Sequence, residues 1–281
     1  MRKELSLENL SELPDIQSRV DARNLGIDQV GVSSVPYPIQ FVSCSNSGES
    51  VQSTNGMFDM SVSLPASDRG THMSRFVQLL RDWKQPLDYV GAVDLCGALR
   101  ERMNAERGRV QVRFPVFVER LAPVTGESGM LRLDVELDAT VDSCRKLVVT
   151  VAGPAMSLCP CSKEISNYGA HNQRCRLSAS VRFRSEKSSI SIDELFQKME
   201  QAASCSVYAT VKRSDEKRVT EAAYDNPKFV EDTVRDLALN LKADPRIVWF
   251  RCESENYESI HQHNAFARIE IGADGDDGDI G

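Results

Sequence analysis

The segment Cys159-Pro-Cys-Ser-Lys-Glu-Ile-Ser-Asn-Tyr-Gly-Ala-His171-Asn-Gln-Arg174 crowds two thiols, an imidazole, an acid and basic side chains into one turn-rich stretch. Thiolate and neutral imidazole are the donors that zinc-like divalent ions prefer. Cys159 and His171 lie twelve residues apart, with Gly169 between them. No second Cys/His pair sits close by to complete four protein ligands, so an open, catalytic metal site is expected rather than a structural zinc knuckle. Cys161 could be a second ligand, a proton-carrying thiol or a redox partner of Cys159, and spacing does not choose among these.

Three further groups could serve the same site. In Glu258-Ser-Ile-His261-Gln-His263 two imidazoles are two residues apart, hence on one side of an extended segment, and suit paired ligands or acid/base groups. The run Asp215-Glu-Lys-Arg218 with Thr220-Glu-Ala-Ala-Tyr224 reads as a polar loop in which Glu216 or Glu221 could supply a third ligand. Glu231, in Phe-Val-Glu-Asp, is placed early in a helix, where a carboxylate favours the dipole. Its two oxygens also match the paired N–H groups of a guanine edge. Lys163, Arg174, Arg176, Lys212, Arg213, Lys217, Arg218 and Lys228 cluster around these motifs, and a subset could hold phosphates by charge-assisted bonds. The chain has neither a Walker loop nor a Gly-x-Gly-x-x-Gly turn, so a nucleotide would be held by another scheme.

Composition sets the frame. The 281 residues are 41% hydrophobic and 27% charged, as in a globular protein. The net charge is −7, and Asp274, Asp276, Asp277 and Asp279 near the C-terminus account for much of it. No global basic field points to nucleic acid. The N-terminus lacks a signal-peptide apolar run, and no stretch is long enough for a membrane helix. Eight scattered cysteines do not form a disulfide framework. The expectation is a cytoplasmic protein, without membrane or nucleic-acid partners, in which Cys44, Cys96, Cys144, Cys205 and Cys252 are small core residues.

The elements that would position the motifs follow from periodicity. Residues 1–35 read as an N-terminal arm. Strands are predicted at 37–45 and 57–65, the second alternating Phe58, Met60, Val62 and Leu64. Helices follow at 72–84, with Met73, Phe76, Val77 and Leu80 on one face, and at 91–105. Strands carrying Val110 to Val118 and Leu131 to Leu137 come next. The order then repeats, with strands at 144–152 and 175–185, a helix opened by the capping box Ser191-x-x-Glu194, and a helix begun by Asn226-Pro227. Strands at 246–254 and 264–271 end the second unit. This is an α+β chain of two ββααββ modules, 36–141 and 142–271, with antiparallel sheets backed by helices and a disordered acidic tail at 272–281. Two four-stranded sheets leave edges to be covered, so a homo-oligomer is expected.

Leu158-Cys-Pro-Cys-Ser-Lys-Glu-Ile-Ser and Gly169-Ala-His-Asn-Gln-Arg resemble the signature of the prokaryotic type-IB GTP cyclohydrolases. So do Gly70-Thr-His-Met-Ser-Arg-Phe76, Asn226-Pro-Lys-Phe-Val-Glu-Asp232 and Glu255-Asn-Tyr-Glu-Ser-Ile-His-Gln-His263, with Asp15-Ile-Gln17 and Val30-Gly-Val32 in the arm. The resemblance implies a tunnelling fold, a homotetramer, and conversion of GTP to 7,8-dihydroneopterin triphosphate and formate at the start of tetrahydrofolate synthesis. It also implies a divalent metal ion (Mn2+, Fe2+ or Zn2+) on Cys159, His171 and Glu216. Glu231 would anchor guanine, and His261 and His263 would move protons beside Glu258. From the basic cluster beside the metal loop, Lys163 and Arg174 are expected to face the substrate.

Two other readings share some of these features. A tunnelling-fold nitrile reductase of the queuosine pathway would use Cys159 as a nucleophile, but it leaves His171 and the His261/His263 pair without work. A metal-dependent sensing module would pair Cys159 with Cys161 as a switchable disulfide.

Overall fold

The computed structural model describes residues 15, 17, 19–45, 48–185 and 189–272, so most of the arm and nearly all of the acidic tail lie outside the described residues. The elements run β1 (Ile27–Ser45), β2 (Gly48–Leu64), α1 (Ser74–Asp82), α2 (Tyr89–Arg102), β3 (Gly108–Leu121) and β4 (Ser128–Val141). They continue with β5 (Arg145–Leu158), α3 (Pro160–Ile165), β6 (Asn172–Phe183), α4 (Ile192–Glu200), β7 (Cys205–Ser206), α5 (Arg213–Asp225), α6 (Val230–Lys242), β8 (Ile247–Asn256) and β9 (Ala265–Ile271).

The alternation read from the sequence governs the sheet. Phe58, Met60, Val62 and Leu64 of β2, and Leu131, Leu133, Val135 and Leu137 of β4, are all buried on one face. The helices cover that face: α2 lies over β3, β4 and β5, α4 over β5 and β6, and α6 over β8 and β9. Where α4 crosses β5 the approach is so close that a Cβ on Gly153 would lie 2.4 Å from the Phe196 ring. Only glycine fits there.

All strands are antiparallel and follow the order β1-β2-β3-β4-β5-β6-β8-β9. The strands of both expected modules therefore share one sheet, joined by β4–β5 pairing from Asp134↔Ala152 to Val141↔Arg145, rather than forming two four-stranded sheets. The second half also carries α3, β7 and α5 beyond the expected ββααββ order. β5 runs past the end of β4, and there β7 pairs with it at Ala155 and Met156. That extension delivers the chain to Cys159.

Several expected elements are corrected. β1 begins at Ile27, inside the segment read as an arm; register shifts between Ile27 and Val30 and between Val32 and Val35 break the alternation that would have revealed it. The buried face of α1 is Phe76, Leu79 and Leu80, while Met73 and Val77 are exposed. The supposed polar loop at 215–224 is helix α5; only Asp215 and Ala223 are buried along it, so it lacks an apolar stripe. α6 starts at Val230, and its first turn is capped by Asp232, which accepts the Phe229 N–H at 3.1 Å. Asn226 ends α5 instead of opening α6. Cys96, Cys175 and Cys252 are buried, whereas Cys144 and Cys205 are only partly so.

Candidate active site

The end of β5 and the start of β6 place Cys159 and His171 side by side. Leu158 pairs with Asn172, and the Cys159 N–H donates to the His171 carbonyl at 3.1 Å. Between them the chain makes the single-turn helix α3, whose N-cap is Cys159 and whose Pro160 opens the first turn. Gly169, at φ +112°, supplies the left-handed turn that brings the loop back. Ser162 closes the arrangement. Its N–H donates to Cys159 Sγ at 3.5 Å, its hydroxyl donates to the Cys159 carbonyl at 3.1 Å, and its Oγ accepts the His171 N–H at 3.2 Å. Cys161 is exposed on the same turn.

On the imidazole of His171, Nδ1 faces Gln173 Oε1 at 3.0 Å and Ser259 Oγ at 3.4 Å. Ser259 belongs to the β8–β9 loop, which also carries His261 and His263. Those two rings are exposed and stacked, with centroids 5.1 Å apart and planes inclined by 17°. The loop that carries the paired imidazoles thus contacts His171 through Ser259.

Glu231 arrives by a different route. Lys228 N–H donates to the Leu158 carbonyl at 3.0 Å, and Lys228 Nζ is bonded to the Ala202 carbonyl at 3.0 Å and to Asp236 at 2.7 Å. Asn226 Nδ2 donates to the carbonyls of Ala203 and Ser204 at 3.0 and 3.1 Å. Ser204 Oγ in turn accepts the Leu158 N–H at 3.1 Å. The first turn of α6 is therefore tied to the strand end that holds Cys159. Because Asp232 does the capping, the exposed Glu231 carboxylate has no intramolecular partner among the described residues.

Helix α5 forms the remaining wall. Asp215 is fully buried and accepts from Val124 N–H, Thr125 N–H, Thr125 Oγ1 and Lys212 N–H at 2.6–2.9 Å. With Asp215 turned inward, Glu216, Lys217 and Arg218 are exposed. A cleft of about 520 Å³ lies between α5 and the 168–172 loop, lined by Leu158, Tyr168, Asn172, Arg218, Glu221 and Tyr224 among others.

The expected metal set is only partly assembled within one chain. Cys159 and His171 are neighbours, but no group of three or more His, Cys, Asp or Glu side chains gathers closely enough to hold an ion among the described residues. Glu221 pairs with Lys217. Of the basic residues, Lys163 reaches the Tyr224 carbonyl and lies 4.2 Å from the centre of its ring. Arg176, Lys212, Lys217 and Lys228 pair with Asp134, Glu127, Glu221 and Asp236. Arg174, Arg213 and Arg218 have no ion pair among the described residues. Sequence reasoning missed Ser162, Gln173 and Ser259. Gln173 had a usable signal, since it follows His171 by two residues at the start of a strand and so shares its side.

His72 Nε2 lies 3.3 Å from Asp15, which joins the Gly70-Thr-His72 motif to the Asp15-Ile-Gln17 motif. No helix among the described residues is long and apolar enough to cross a membrane.

A family model described as type I GTP cyclohydrolase folE2 matches residues 13–267. The chain is 46% identical to GTP cyclohydrolase FolE2 1 of Dechloromonas aromatica (strain RCB), over 92% of its own length and 95% of that protein. It is 45% identical to GTP cyclohydrolase FolE2 of Paraburkholderia xenovorans (strain LB400), over 92% and 94%. Among solved structures it is similar to urate oxidase from Bacillus sp. TB-90, with a TM-score of 0.53 at 8% identity over 88% of this chain and 100% of that one. The last likeness concerns the fold alone, which is the tunnelling fold.

Proposed function

The chain belongs to the type I GTP cyclohydrolase folE2 family, and we propose that it opens the purine of GTP at C8, releasing formate and forming 7,8-dihydroneopterin triphosphate for folate biosynthesis. The observation that carries this reading is the meeting of Cys159 and His171 at the paired ends of β5 and β6, beside the anchored first turn of α6.

A thiol that accepts an N–H and an imidazole whose Nδ1 is already engaged fit a divalent ion by chemical type. Cys159 Sγ and His171 Nε2 would hold it, and Glu216 is the proposed third ligand. When bound there, such an ion supplies Lewis acidity and lowers the pKa of water. Mn2+, Fe2+ and Zn2+ all suit this mixed donor set, and a homotetramer is the proposed assembly.

The chain's own residues divide the remaining work. Glu231 presents two carboxylate oxygens to guanine N1–H and its exocyclic amine, which fixes the base while its five-membered ring opens. Imidazole can both give and take a proton, so His261 and His263 can protonate the nitrogen that leaves C8 and accept protons from water during the second hydrolysis. Arg218, which lines the cleft beside α5, and Arg174 are the cations available for the triphosphate. Lys163 reaches substrate only by leaving Tyr224.

The direct test is anaerobic incubation of metal-stripped protein with GTP, with Mn2+, Fe2+ or Zn2+ added back singly. Metal-dependent formate and a fluorescent neopterin after oxidation are expected. Folded, metal-loaded protein that yields no formate with any ion overturns the proposal.

A further inference from the structure

Among the described residues, Gln173 is the one buried side chain with a hydrogen-bond contact to the ring of His171. It is 9% exposed, on β6, and its Oε1 lies 3.0 Å from His171 Nδ1. Ser259 completes a triangle, with Oγ 3.4 Å from His171 Nδ1 and 3.5 Å from Gln173 Oε1. With its amide oxygen turned to the ring, Gln173 can only accept there, and this orientation calls for the shared proton on Nδ1. The Ser259 hydroxyl then donates to the same Oε1, while its oxygen shares the Nδ1–H. With the amide oxygen facing the ring, all three contacts are satisfied at once in this tautomer.

We propose that Gln173 is the positioning residue for His171: its amide oxygen keeps the proton on Nδ1, leaves the Nε2 electron pair for a divalent ion, and through Ser259 registers the His261/His263 loop against that ligand. The role rests on His171 being a metal ligand, as argued above. Ligand histidines commonly donate their second ring N–H to an acceptor that fixes ring and tautomer, and loss of that acceptor weakens metal affinity about 10–100-fold. Here the acceptor also bonds the loop with the proposed proton-transfer groups, so one contact can couple metal loading to loop placement.

The experiment uses full-length protein and two readouts. The first is the tautomer of His171, read from long-range 1H–15N spectra of the metal-free protein at a pH where the ring is neutral. The chain has four histidines, so assignment by single replacement is practical. The second is the affinity for Co2+ alone, measured by titration. Wild type and Gln173→Glu, which keeps an acceptor oxygen, are expected to show the Nδ1–H tautomer and to bind Co2+ tightly. Gln173→Leu is expected to show mixed tautomers and about 10–100-fold weaker binding. Ser259→Ala, an exposed change that spares the core, is expected to keep the tautomer and to broaden the His261 and His263 signals. An Nε2–H tautomer in wild type overturns the proposal without any variant, as does wild-type Co2+ affinity in Gln173→Leu. His171→Ala protein that binds Co2+ as wild type does would instead sink the assignment of the metal site, which separates the two failures.

Discussion

Lys228 N–H donates to the carbonyl of Leu158 at 3.0 Å, so the residue before Cys159 and the segment leading into the Glu231 helix form one hydrogen-bonded unit. The proposed metal ligand and guanine anchor are thereby held in a fixed relation by backbone rather than by long side chains. Asn226 reinforces the unit through its bonds to Ala203 and Ser204. Asn226→Ala removes the donor from both carbonyls and is expected to cost about 1–3 kcal/mol of stability. It should also raise KM for GTP, since the unit that holds α6 against β5 is then weakened. Denaturant titration and steady-state kinetics check this, and an unchanged KM in a destabilised variant would show that the tether serves folding only.

Glu231 is free of capping duty, because Asp232 fills that role. Its removal should leave the fold almost untouched, with a change within about 1 kcal/mol from the helix dipole. Hydrogen bonds to a charged group contribute about 1.5–3 kcal/mol, so Glu231→Ala should lower kcat/KM for GTP roughly 10–100-fold. Kinetics with GTP, alongside thermal unfolding of the same protein, tests both halves. A large drop in melting temperature would reassign Glu231 to structure.

The thiols should react in an order that reports the site. Burial pushes Cys96 and Cys252 up to about 11 and Cys175 up to about 12, so these stay protonated and covered in the native protein. Exposed Cys161 should alkylate first and Cys159 next, with the buried three reacting only on unfolding. Added Mn2+ or Zn2+ should slow modification of Cys159 while sparing Cys161. Peptide mapping after timed iodoacetamide treatment reads this directly. Equal protection of both thiols would mean that Cys161 is a ligand as well. Cys159→Ala should lose formate release by on the order of 100-fold or more while keeping its unfolding midpoint.

Burial alone would raise the pKa of Asp215, but the Thr125 hydroxyl and the N–H groups of Lys212, Thr125 and Val124 outweigh it and hold the carboxyl well below the ordinary carboxylate range. A group depressed in the folded state contributes stability that is fully present above its unfolded pKa, about 3.9, and is lost as pH falls through the folded value. The denaturation midpoint should therefore hold from neutral pH to about 4 and fall steeply below that. Asp215→Asn should be less stable at neutral pH, with a shallower decline in acid. Urea titrations across that range decide it; parallel acid profiles for the two proteins would remove Asp215 as a pH-sensitive anchor of α5.

How much of this was legible in the sequence varied with the length scale of the cause. β2, β3 and β4 were readable because one buried face imposes a period of two. The 191–194 capping box was readable because Ser191 Oγ accepts the Glu194 N–H within a single turn, at 3.1 Å. α5 was not readable: it has almost no apolar face, and its one buried carboxylate is bonded to the β3–β4 turn, far away in sequence. For the same reason Asn226 looked like a helix opener, whereas its partners lie on the segment before β7.

By itself the sequence determined the α+β class, the core alternation and the family, and it singled out Cys159, His171 and Glu231 as candidates, because these depend on local periodicity and on residue types in short motifs. Only the tertiary structure decided that β4 and β5 join the two units into one sheet, that Lys228 binds Leu158, and that Gln173 and Ser259 meet at His171. Those contacts join residues distant in the chain, and the hydrogen-bond geometry that selects them exists only once the strands are in register.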